Sequence, residues 1–109
     1  MAKTLRYNSY GRDWAISLTA TNYQINGNTA VRMNCLVDGY YEPFANLTVN
    51  LDEKLPEGFA FIDINNLPGA EDFVEKNELG HFTGKWGRSG FCVYPLYELD
   101  LEKISEHSI

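Results

Sequence analysis

The chain has little of what staples or anchors a small fold. It holds two cysteines, Cys35 and Cys92, among 109 residues. A disulfide framework or a cysteine-rich metal module needs more than that, and both are expected to be reduced, buried thiols. His81 and His107 stand at no familiar ligand spacing from either cysteine, which excludes the usual zinc arrangements. No apolar run reaches the roughly 18 to 20 residues of a membrane helix. Nothing near the start has the apolar core of a signal peptide, so the expectation is a cytoplasmic protein without membrane contact. The sequon Asn46-Leu47-Thr48 would carry no glycan there.

Positive charge is also scarce. Nine Lys and Arg face fifteen Asp and Glu, a formal net charge of −6. Residues 1–50 carry four basic and three acidic residues, whereas residues 51–109 carry five and twelve. Direct nucleic-acid binding wants a basic face that displaces counterions from phosphate, and none is visible. The balance suits either simple solubility or docking onto a partner with a basic surface.

Catalytic patterns are missing too. Gly84, Gly87 and Gly90 recur every third residue, but without the strand, loop and helix of a phosphate cradle. A tight hairpin or bulge accounts for them better. Asp63, Glu98 and Asp100 have no nucleophile and base beside them in sequence and read as solvated strand positions. The expectation is a non-enzyme with no cofactor and no metal.

Aromatic residues, by contrast, are plentiful: seven Tyr, six Phe and two Trp. They suit a sheet-rich core. Trp14, Ile16, Leu18 and Ala20 alternate with polar or small residues, the pattern of a half-buried strand. Asn26-Gly27 signals a hairpin turn, and Val31, Met33, Cys35 and Val37 continue on one face of the next strand. Asp38–Pro43 reads as a turn bearing Tyr40 and Tyr41. Leu47, Val49 and Leu51 predict a third strand and Phe59–Ile62 a fourth. Residues 91–101 predict a long strand in which Pro95 demands an edge position or a bulge.

Pro68–Asn77 predicts the one helix, with Pro68 at a first helical position and Glu71 and Asp72 favouring its positive end. Residues 102–109 are polar and are expected to fray. The whole predicts an α+β fold over residues 1–109: an antiparallel sheet of about five or six strands with one packed helix.

Two features point to a surface. Glu71, Glu75 and Glu78 fall at i, i+4 and i+7, stacking like charges that cost roughly 0.2–0.5 kcal/mol per pair. That stripe is either a solvated face or an acidic ridge toward a partner. Lys85, Trp86 and Arg88 form a basic-aromatic island in an acidic half, and Trp and Arg are enriched at binding hot spots.

Several pieces resemble a small bacterial family of unknown function associated with plasmids and conjugative elements of Gram-positive bacteria. They are Tyr10-Gly11 with Trp14, Leu47–Leu51, Asp63–Asn66 with Pro68, Asn77–Gly80 with Thr83-Gly84, and above all Ser89–Glu98. The resemblance supplies no catalytic residues. It implies a task useful to mobile DNA. Small acidic proteins of such elements resemble inhibitors of host defence nucleases, including anti-CRISPR proteins against type II effectors. A type II CRISPR effector, alone or with its guide RNA, is then the implied partner, with Glu71, Glu75 and Glu78 facing it and Tyr40, Tyr41 or Trp86 as anchors. A structural or regulatory module of the element, including a homo-oligomer joined through its tyrosines, is the other implied role.

Overall fold

The computed structural model describes residues 3–108. In chain order it forms β1 (Leu5–Ser9), β2 (Arg12–Asn22), β3 (Thr29–Val37), β4 (Tyr40–Asn46), β5 (Thr48–Val49), β6 (Phe59–Ile62), α1 (Ala70–Lys76), β7 (Gly80–Ser89), β8 (Cys92–Leu99) and α2 (Leu101–Ser105). The class is α+β, as expected. The strands make two four-stranded antiparallel sheets, ordered β1-β2-β3-β4 and β5-β6-β8-β7, rather than one sheet of five or six.

The first sheet follows from alternation. Ile16, Leu18, Val31 and Met33 are fully buried on its inner face. Its outer ladders are closed by two-residue turns, Tyr10-Gly11 and Asp38-Gly39, with φ of 55°, 75°, 51° and 85°. Positive φ at both central residues matches the right-handed twist of the strands they join. Tyr40 and Tyr41 therefore begin β4 instead of sitting in a turn. Pro43 is tolerated because β4 is an edge strand and Phe44 is bulged out opposite Met33 and Asn34. The third predicted strand shrinks to Thr48-Val49.

Helix α1 is held where the two sheets meet. Ala70, Phe73 and Val74 are its buried face, and sealing Phe73 and Val74 from water stabilises by roughly 1.5–3 kcal/mol each. Tyr7 of β1 packs edge-on against Phe73, with ring centroids 5.5 Å apart. Its hydroxyl donates to the Pro68 carbonyl at 2.6 Å, fixing the chain as it enters the helix. The helix stops two turns on: Glu78 N–H donates to the Glu75 carbonyl at 3.1 Å and Leu79 N–H to the Val74 carbonyl at 2.9 Å. This is a Schellman cap, and it places Glu78 (φ 57°) in the left-handed position that glycine usually takes.

The tail does not fray across residues 102–108. Asp100 caps α2 by accepting the Lys103 N–H at 3.0 Å, and Ile104 is fully buried. Beyond the helix, Leu18 N–H donates to the His107 carbonyl at 2.9 Å, and Ser108 pairs in parallel with Leu18. The segment thus occupies the flank of β2 that β1, ending its pairing at Ile16, leaves open. The rest of the predicted tail, Ile109, lies outside the described residues.

Both cysteines are free thiols, but only Cys35 is buried; Cys92 is half-exposed. Burial, helped by nearby Glu42, pushes the Cys35 thiol above its ordinary pKa.

Candidate partner-binding face

The central strand of the second sheet organises the site. Alternation along β8 turns Tyr97 and Leu99 toward α1, and Tyr97 is completely buried. Its hydroxyl reaches two helix carboxylates at once, Glu71 Oε1 at 2.8 Å and Glu75 Oε2 at 2.8 Å. A phenol has one proton to give, so it serves the two carboxylates in alternation. Burial first, then the two carboxylates, push the Tyr97 phenol far above its ordinary pKa. The predicted Glu71–Glu75–Glu78 stripe therefore divides: two of its members hold the helix onto the sheet, and Glu78 projects from the cap.

An aromatic row extends from this point. Phe82 pairs with Tyr97 across the ladder, with ring centroids 5.8 Å apart. Trp86 contacts Phe82 edge-on at 5.5 Å. Four residues of regular strand would separate the two by about 13 Å. They meet because Thr83, Gly84 and Lys85 bulge out opposite Leu96 alone. Gly84 turns the bulge at φ 89°, and the Thr83 hydroxyl donates to the Leu96 carbonyl at 2.8 Å. Pro95 stands in the interior of the sheet, paired with Trp86 at the end of this irregularity. Arg88 and Val93 pair beyond Trp86, and this end of the row is open: Trp86 is 52% exposed.

By the C-terminal end of α1 lies a cleft of about 550 Å³, lined by Glu75, Glu78, Gly80, His81, Glu98, Leu99 and Asp100. A Cβ on Gly80 would stand 2.6 Å from the Glu98 carbonyl oxygen, so only glycine lets β7 pass here. His81 Nε2 lies 3.3 Å from Glu98 Oε1. Among the described residues, no group of His, Cys, Asp and Glu is arranged to hold a metal, and no helix is long and apolar enough to cross a membrane. What the arrangement can do is receive cations: carboxylates for lysine or arginine, and ring faces for guanidinium groups.

The family model for a domain of unknown function, DUF4313, matches residues 17–108. The chain belongs to the DUF4313 family. No curated protein and no solved structure matches it. Of the residues singled out by sequence, this DUF4313 chain brings Glu71, Glu75, Trp86 and Arg88 onto one face, with Glu78 at the cleft and Lys85 on the bulge. Tyr40 and Tyr41 stand apart, on an edge strand of the first sheet. Sequence reasoning missed Tyr97 and Phe82, which link the acidic and aromatic parts. The only available signal was their placement at alternating positions of two strands whose pairing is not written locally. Asp63 is not a solvated strand position either. It is buried, and its carboxylate accepts the N–H groups of Asn65 at 3.2 Å and Asn66 at 3.1 Å.

Proposed function

We propose that this DUF4313 domain is a protein-binding module whose α1–β7–β8 face docks a partner with a basic surface. The observation that carries the reading is the unbroken row Glu71/Glu75–Tyr97–Phe82–Trp86. It sets an acidic helix, an open tryptophan and Arg88 side by side on a rigid sheet. Such a combination offers an aromatic anchor with charge complementarity around it, which chiefly raises association rate and specificity. In the finer form of the proposal the partner is a type II CRISPR effector, and the domain acts as a mobile-element inhibitor of host defence. Its supports are the net charge of −6, the resemblance to proteins of plasmids and conjugative elements, and the positively charged channel of such effectors.

The test is capture by the tagged chain from cells carrying a type II effector and its guide RNA, followed by salt-dependent affinity. Lysine at Glu71 and Glu75 would also unseat Tyr97, so the informative variants are Glu78→Lys and Trp86→Ala. Each should weaken binding, and Glu78→Lys should flatten its salt dependence. Full-strength binding by folded variants would refute this face. A second reading, a self-associating module, draws on Tyr10 and Tyr40, which are 91% and 77% exposed. Sedimentation as a stable oligomer with no effector bound would favour it.

A further inference from the structure

Three of the five lysines of this acidic chain converge on one cleft. Lys3, Lys76 and Lys103 line a depression of about 300 Å³ together with Thr4, Asn77 and His107. Its volume is at the small end of ligand pockets, which run from about 300 to 1,000 Å³. Among the described residues, none of the three lysines takes part in an ion pair. Glu78 is the sole carboxylate of the wall. A lysine in the last turn of a helix complements the helix dipole, which accounts for Lys76 on its own. It does not account for lysines from three separate segments gathering in a chain with a net charge of −6.

A second observation points the same way. His107 is 4% exposed and its Nδ1 lies 2.8 Å from the Lys3 carbonyl, so Nδ1 carries the proton in that contact. Its Nε2 is buried with no hydrogen-bond partner. A buried polar atom without a partner costs roughly 1–3 kcal/mol, and here it belongs to a residue that lines the lysine cleft. The α1 carbonyls nearby would oppose an anion, but those of Phe73, Val74 and Glu75 are already taken by the helix cap.

We infer that this cleft is a binding site for a doubly charged oxyanion of the phosphate class, presented either as a free ion or as a phosphate monoester. Three ammonium groups match a dianion better than a singly charged carboxylate, and free hydrogen phosphate, which unlike a dianionic monoester keeps a P–OH, also has a proton to offer an unpaired ring nitrogen brought within reach. The site is separate from the acidic face, and the two share only Glu78, which stands on the lip of both. Its charge therefore opposes phosphate while favouring a basic partner.

The experiment is an NMR titration of the full chain with inorganic phosphate at constant ionic strength. Amide shifts around Lys76, Lys103 and His107, with the His107 ring resonances, are expected to saturate with a dissociation constant on the order of millimolar. The Lys76→Gln/Lys103→Gln variant should bind about fivefold more weakly, and Glu78→Gln about twofold more tightly. Acetate should bind more weakly than phosphate. Parallel titrations with phosphoserine distinguish a free ion from a phosphate monoester; tighter binding of either supports the site and names its source. Shifts that chloride reproduces, or that survive unchanged in Lys76→Gln/Lys103→Gln, would overturn the inference. So would a short oligonucleotide that binds more tightly than phosphate. Since Trp86→Ala leaves this cleft untouched, failure of the protein-binding proposal and failure of this one give different results.

Discussion

Replacing Tyr97 by phenylalanine isolates the contact that ties α1 to the sheet. The ring and its packing stay; only the hydroxyl shared by Glu71 and Glu75 is removed. Hydrogen bonds to charged groups are worth roughly 1.5–3 kcal/mol. Glu71 is half-buried and Glu75 exposed, so water can replace part of what is lost. Removing the phenol also unmasks i, i+4 repulsion between the two carboxylates, roughly 0.2–0.5 kcal/mol. The net expectation is a loss of about 1–2 kcal/mol, or roughly 5–10 °C in Tm for a domain of this size. The pH dependence follows from the direction of the shift. Tyr97 ionises well above its ordinary value in the folded chain, so its contribution is complete below the unfolded pKa of about 10 and is lost as pH rises toward the folded one. Between the unfolded and the folded value the native chain should lose about 1.4 kcal/mol per pH unit through this residue, and Tyr97→Phe should not. Urea unfolding of both proteins at pH 7 and near pH 11 should show the native advantage shrinking to nothing. Equal stability at pH 7, or parallel alkaline slopes, would refute the shared-proton geometry.

Glu78→Gly should stabilise the fold by about 0.5–1 kcal/mol, because glycine takes the left-handed cap position without strain. Chemical denaturation checks it, and a loss of partner binding in the same variant would show why strain is kept at this site. Ile104→Ala should cost about 2–4 kcal/mol, as truncation of a fully buried aliphatic side chain does. If residues 102–108 were loose, the change in thermal unfolding would instead be negligible.

Much of this architecture was legible because its signals are local. The alternation through Trp14–Ala20 and Val31–Val37 marks β2 and β3, and Ala70, Phe73 and Val74 mark the inner face of α1. β1 escaped notice because Leu5 and Tyr7 are its only large inward residues, too few to define a period. β4 was hidden by Pro43, which an edge strand with a bulge tolerates. The division into two sheets is set by long-range pairing such as Phe59 with Glu98, which no window of sequence contains. In the candidate site the acidic stripe was visible as a spacing. That Glu71 and Glu75 share one phenol depends on where β8 passes beneath the helix. Ile104 and His107 were concealed by polar neighbours, a case where average composition outweighed two residues that pack.

The docking of residues 107 and 108 beside Leu18 has a consequence for how the protein is made. During synthesis β1 to β4 emerge first and can pair, yet the flank of β2 at Leu18 stays unsatisfied until the segment after α2 leaves the ribosome. The 2.8 Å contact between His107 and the Lys3 carbonyl spans 104 positions, and such distant closures form slowly. A nascent chain stalled before Asp100 would therefore present an open strand flank to other nascent chains. Docking of residues 107 and 108 beside Leu18, more than completion of either sheet alone, is the event that makes the newly made molecule safe from pairing with its neighbours.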